Sequence, residues 1–215
     1  MKLISLGNSC KVRESIDRFN NNVKGETHMF DWVISNFSSV VRVFHSLANN
    51  KEDDLFHENK FINQGVCPNN TIHCALVHRD MQFQSIHDIH SNISYDLQKN
   101  DFIEKYRRRS KRLRETIQHY AQNIHFLYFI SFKEYIPTIN EIYDFIVLTQ
   151  KMRGDLPFFI HILVPPEFHC YRDVINPCII TTNVKVIYMS SNPAVDPVKE
   201  QRRDLNWLDI YKYFN

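Results

Sequence analysis

The chain opens on a short apolar run over residues 2–6 that stops at Gly7, the pattern of a buried strand running into a turn. Directly after it, Val12, Ile16 and Phe19 recur at helical spacing, with Asn8 or Ser9 available as N-cap, so Cys10 falls in the first turn of a helix just past a strand end. Residues 20–26 are polar and turn-like, and residues 28–33 are rich in aromatics. Val40, Val41, Phe44 and Leu47 predict a second helix over residues 38–47, whereas residues 49–70 hold no sustained period and predict mostly irregular structure. A strand is predicted over residues 81–88. The clearest helix covers residues 101–120, with Phe102, Tyr106, Leu113, Ile117 and Tyr120 on one stripe. Strand then alternates with helix: a strand at 125–132, a helix at 138–152, a strand at 158–164 stopped by Pro165-Pro166, and a last strand at 184–189. Residues 205–211 predict a short helix docking an edge. Near-continuous apolar strands alternating with helices predict an α/β fold, one domain over residues 1–215, with a mostly parallel sheet covered by helices on both faces.

Composition narrows the chemistry. With 215 residues, 43% of them hydrophobic, the chain can bury a sizeable core. Its 4 glycines, at positions 7, 25, 65 and 154, stand apart, so neither a Walker phosphate loop nor a G-x-G-x-x-G dinucleotide turn can be written, which excludes both nucleotide-binding classes. A net charge of +2 creates no global field that would predict binding to nucleic acid or to a membrane. The 5 cysteines, at 10, 67, 74, 170 and 178, are an odd number without a disulfide framework and point to a reducing, cytoplasmic setting. The apolar stretch before Cys10 ends at Leu6, too short for a signal sequence, and no run approaches the roughly eighteen apolar residues of a membrane span.

Three constellations can carry chemistry. Ser5-Leu6-Gly7-Asn8-Ser9-Cys10 lies at the carboxyl end of the first strand, where open parallel sheets bind ligands. A thiol in the first turn of a helix gains from the unpaired N–H groups and the dipole, which favour the thiolate, so Cys10 is a candidate nucleophile. The same N–H groups, with the Asn8 amide and Ser9, could hold an oxyanion. Ser85-Ile86-His87-Asp88 ends a predicted strand, placing His87 as a candidate general base at the edge of the sheet. Strand alternation would put Asp88 on the opposite face from His87. In Met29-Phe30-Asp31-Trp32 a carboxylate sits between large aromatics, which is costly unless it is paired. Asp31 therefore either caps the following segment or orients a buried partner such as His87, and Trp32 is a candidate substrate contact.

Other clusters have blander readings. Cys67, His73, Cys74 and His78 have the spacing C-x5-H-C-x3-H, which matches no standard structural zinc site, and a strand with incidental ligands accounts for them; no metal is expected. The basic run from Arg107 to Arg114 leaves its charges on the flanks and outer face of a helix, where a solvated surface is the default and contact with phosphate or an anionic substrate the alternative.

Taken in order, the Ser5–Cys10 segment, then Phe30-Asp31-Trp32, then Ile86-His87-Asp88, then Tyr106-Arg107-Arg108-Arg109 opening a long helix resemble a family of papain-like cysteine peptidases found in bacteria and large DNA viruses, a domain of unknown function. The resemblance runs from residue 3 to about 165 and departs in having Met29 where a proline usually precedes Phe-Asp-Trp. It implies Cys10 as nucleophile, His87 as base, Asp31 or Asp88 as third member, and no cofactor. Papain-type enzymes set the cysteine on a helix ahead of an antiparallel domain that carries the histidine, whereas this chain alternates strands and helices. A nucleophile directly after the first strand is more similar to SGNH-type hydrolases and to capsule-polysaccharide acetyltransferases with a Gly-Asn-Cys turn. A thiol with a histidine base serves hydrolysis of a peptide or ester and acyl transfer to a glycan, with CoA as donor, equally well. A non-catalytic interaction module on the same fold is the reading from a different class.

Overall fold

The computed structural model describes residues 1–7, 10–20, 26–67, 70–191 and 210; at Cys10 it describes the helix and not the side chain. The elements in chain order are β1 (Lys2–Ser5), α1 (Cys10–Phe19), a 3-10 turn (Met29–Trp32), β2 (Val33–Ile34), α2 (Phe37–Ala48), β3 (Phe61–Cys67), β4 (Asn70–His78), β5 (Gln84–His90), α3 (Tyr95–His119), β6 (Ile124–Phe129), α4 (Ile139–Arg153), β7 (Phe158–Val164), α5 (Arg172–Ile175) and β8 (Val184–Tyr188). They build two sheets of four strands, one ordered β1-β6-β7-β8 and parallel throughout, the other ordered β2-β5-β4-β3 and antiparallel throughout.

Period-2 alternation sorts the parallel sheet into two buried faces. Ile4, Phe126, Tyr128, Ile160 and Ile162 pack into the core shared with α2, α3 and α4, while Leu3, Leu127, Phe129, Leu163 and Ile187 pack with Val12 and Ile16 of α1 and with Ile210. The first core is knit by aromatics: Phe44 lies 4.3 Å from Phe145 and 5.8 Å from Phe126, and Phe37 meets Tyr128 edge-on at 4.9 Å. It continues without a break into the inner face of the antiparallel sheet, where Phe61 stands edge-on to Phe102 of α3 at 5.0 Å. Local signals agree with the helix boundaries. Asn36 caps α2 by accepting from Ser39 N at 2.8 Å, Thr138 and Glu141 form a reciprocal capping box on α4, and Gly154 at φ +61° ends α4.

The alternation of strands and helices and the coverage of both faces of the parallel sheet agree with the expectation from the sequence. The mostly parallel sheet does not: parallel and antiparallel strands are equal in number. The reason lies in residues 49–70, read as irregular, which contain β3. As an edge strand β3 buries Phe61, exposes Ile62 and Val66, and is broken by a register shift around Gly65, whose φ is +82°, so no period survives in its sequence. Helix α3 also starts six residues before the predicted position 101. Its added turns bury no apolar stripe, Leu97 being exposed, and are tied down by Gln98, whose amide bonds the backbone of His90 and Ile93. The helix predicted at 205–211 lies outside the described residues apart from Ile210.

Candidate active site

The turn after β1 is clamped on both sides. Leu6 N donates to Leu127 O of β6 at 2.9 Å, Leu6 O accepts from Ser35 Oγ at 3.1 Å, and Gly7 N donates to Ser5 Oγ at 3.2 Å. Gly7 sits at φ +86°, and a Cβ there would collide with Ser35 Oγ and lie 3.2 Å from Val33 O. Only glycine meets both demands. Three residues later Cys10 is the first residue of α1, at the carboxyl end of β1, as the sequence predicts. Asn8 and Ser9, the candidate oxyanion groups, lie outside the described residues.

His87 is on β5, in the antiparallel sheet rather than at the edge of the parallel one. It occupies a bulge. Cys74 of β4 pairs with Ile89 and Leu76 with Ser85, so Ala75 alone is opposed by Ile86, His87 and Asp88. The bulge turns the His87 ring toward Trp32, which it meets edge-on at 6.1 Å, and toward His73 at 6.2 Å. Burial lowers the His87 pKa below the ordinary imidazole value; the Asp88 carboxylate opposes this, His73 adds to it, and Glu14 opposes it. Glu14 belongs to α1, one helical turn after Cys10.

The two candidate carboxylates spend their hydrogen bonds elsewhere. Asp31 is buried; its Oδ2 accepts from Arg13 Nη1 at 2.9 Å and from His28 N at 2.7 Å, and its Oδ1 has no hydrogen-bond partner among the described residues. Burial raises its pKa to about 6, against the pull of Arg13. Asp88 accepts from Ser85 Oγ at 2.6 Å, Tyr106 OH at 2.7 Å and Lys105 Nζ at 2.8 Å, with Arg109 at 3.8 Å. Burial alone would raise the Asp88 pKa, but the hydrogen bonds from Lys105, Ser85 and Tyr106 outweigh it and hold the carboxyl below its usual range. Asp88 thus bonds to α3 and to Ser85 rather than to the His87 ring, at a bulge where regular alternation no longer applies.

Arg13 and Glu14 are neighbours of the site that the sequence reading did not single out, whereas His73 entered it only as an incidental ligand and Tyr106 only through the stripe and opening motif of the long helix. The one available signal was spacing: Arg13 and Glu14 follow Cys10 by one helical turn. The basic run is no bare solvated face either. Arg107 donates to Phe56 O and Arg112 to Thr27 O, Arg114 pairs with Glu52, and Arg109 lies over the Tyr106 ring of its own helix, so four of its arginines are engaged, leaving Arg108 and Lys111 exposed. Of the soft ligands on β4, His78 has both nitrogens engaged, by Leu55 O at 2.7 Å and Met81 N at 3.1 Å, and among the described residues no three His, Cys, Asp or Glu side chains gather as a metal site.

A cysteine-headed helix leaving the first strand of a parallel sheet, beside an antiparallel sheet with a histidine on a bulge, defines a mixed α/β protein. Residues 1–166 match the family described as "Putative papain-like cysteine peptidase (DUF1796)", and the chain belongs to that family. Searches of the curated proteins and of the solved structures find no match. The helix with the cysteine ahead of an antiparallel sheet with the histidine is closer to the papain-type order than strand alternation predicted. No described helix is long and apolar enough to cross a membrane.

Proposed function

We propose that the chain is a cysteine-nucleophile hydrolase acting on an acyl or peptide carbonyl, with Cys10 as nucleophile and His87 as general base. The observation that supports this best is placement: Cys10 opens α1 at the carboxyl end of β1, the Arg13–Asp31 bond ties that helix to the turn holding Trp32, and Trp32 stands edge-on to His87 on the β5 bulge. Burial keeps His87 in its neutral base form at neutral pH, ready to take a proton. The thiol proton passes to the imidazole as sulfur adds to the carbonyl carbon, and the N–H groups of the first turn of α1 favour the anionic sulfur. The imidazolium then returns the proton to the leaving nitrogen or oxygen as its bond to carbon breaks. Water, deprotonated by His87, cleaves the thioester and frees the acid and the thiol. Trp32, edge-on to His87, is the wall against which the substrate would lie.

Brief sub-stoichiometric iodoacetamide followed by peptide mapping tests the assignment, because Cys170 is an exposed internal standard and the Cys178 thiol is raised by burial to about 11. Cys10 is expected to label at least about tenfold faster than Cys170, and a His87→Gln variant to lose that excess. Labelling of Cys10 no faster than Cys170 in the unmodified protein would overturn the reading.

A further inference from the structure

Arg13 and Asp31 form a buried ion pair whose place in the fold says more than its stability does. Arg13 is 5% exposed and Asp31 1%, and their bond joins α1 to the turn that leads into β2. Around it the guanidinium is held in one orientation: Nη1 also donates to Glu26 O at 2.9 Å, and Nη2 reaches Asp17 Oδ1 at 2.8 Å on its own helix. Asp31 is held equally firmly by His28 N. Trp32 follows Asp31 directly and meets His87, and Val33 pairs with Ser85 two residues before His87. A single chain of contacts therefore runs from the helix that Cys10 opens, through Arg13 and Asp31, to the strand that bears His87.

Buried ion pairs contribute little net stability, since desolvation offsets the attraction, but one placed between two elements fixes their relative position. We propose that Asp31 is a positioning residue: through Arg13 it sets α1, and with it Cys10, against the His87 bulge, rather than bonding His87 itself. The inference rests on the assignment of Cys10 and His87 as the reacting pair. Protonation of Asp31, which burial brings to about pH 6, removes the charge that holds Arg13. The groups that face Asp31 are Arg13 and Asp17 from α1, Arg109 from α3 and the backbone of His28.

Hydrogen exchange reads the tie without using the thiol. In an Asp31→Asn variant at pH 7, amides of α1 are expected to exchange at least about tenfold faster relative to those of α4, the loss of one charge-assisted hydrogen bond, and Cys10 alkylation to slow with them. In the unmodified protein, local opening of α1 takes Arg13 away while Asp31 stays buried in its own turn, where its pKa is higher still, so α1 protection corrected for the intrinsic rate should fall between pH 7 and pH 5 although the fold as a whole gains from the proton, and this pH dependence should vanish in the variant. The unmodified protein alone carries the test if the variant does not fold. Unchanged α1 exchange in the variant, a uniform rise in every element, or no pH dependence of α1 in the unmodified protein would overturn the proposal. Ordinary Cys10 reactivity in a protein whose α1 responds to Asp31 as described would instead overturn only the assignment of the reacting pair.

Discussion

Replacing Gly7 by alanine tests the turn that carries the cysteine, and its cost can be worked from the geometry. At φ +86° an L-residue is strained by about 1–2 kcal/mol relative to glycine. The added methyl also meets Ser35 Oγ, which must leave its hydrogen bond with Leu6 O, worth about 1 kcal/mol. The expected cost of Gly7→Ala is therefore about 2–3 kcal/mol. Ser35→Ala removes the hydroxyl and the hydrogen bond together, so in that background only the conformational part remains. A double-mutant cycle by urea denaturation should show the pair of substitutions costing about 1 kcal/mol less than their sum, well beyond the ~0.5 kcal/mol within which independent sites add. Additivity, or a cost for Gly7→Ala below about 0.5 kcal/mol, would refute the claim that the turn is packed against Ser35.

Three further outcomes follow from the charges and from the proposed chemistry. Burial holds His28 and His161 to about 3 and His125 to about 4, so all three stay neutral while the unfolded chain takes up protons below about 6.5; urea midpoints should fall from pH 7 to 5, with His161 alone contributing on the order of 2 kcal/mol. Asp31, raised to about 6, opposes this by stabilising the fold as pH falls, but with the smaller shift, and a flat profile would count against the buried neutral histidines. Asp88→Asn removes a charge that raises the His87 pKa, so the imidazole resonances of His87 should titrate at lower pH than in the unmodified protein; an upward shift would show that another group governs His87. A CoA thioester at millimolar concentration should leave the melting temperature unchanged if the chain is a hydrolase, and a clear rise would favour acyl transfer.

The parallel half of the fold was legible because its strands are buried on both faces and its helices carry apolar stripes, as in β6, where every residue is buried. The antiparallel half was legible only in part. β4 has apolar residues at alternate positions, Ile72, Cys74 and Leu76, but in β5 Ile86 and Ile89 stand three apart across the bulge, and β3 is an exposed edge whose pattern is broken at Gly65. In the candidate site, Gly7 and Cys10 announce themselves through punctuation: an apolar run, a glycine, a cap, a helix. The partners of Asp31 do not, since nothing in the spacing of Arg13 and Asp31 says that a helix and a turn eighteen residues apart share a buried bond. The basic run misled for a related reason: helical periodicity tells which residues face outward, not that an outward arginine can reach back to a carbonyl such as Phe56 O or Thr27 O.

His87 itself shows how a local irregularity decides the chemistry. Ser85 and Ile89 are buried on the inner face of the sheet, and in an uninterrupted strand His87, midway between them, would share that face and point into the core. Leu76 and Cys74, their partners on β4, are only two residues apart, so β5 has two residues more than its partner between the same two rungs. An even excess preserves the parity of the rungs on either side, which is why Ser85 and Ile89 both stay buried, and it frees the intervening residues from alternation. Asp88 takes the inner position and satisfies its charge with Ser85, Tyr106 and Lys105, while His87 turns outward to Trp32 and His73. A single inserted residue would have reversed the face of everything beyond it. The inner carboxylate anchors the bulge to α3, and that anchorage leaves the imidazole half-buried and set against Trp32 and His73.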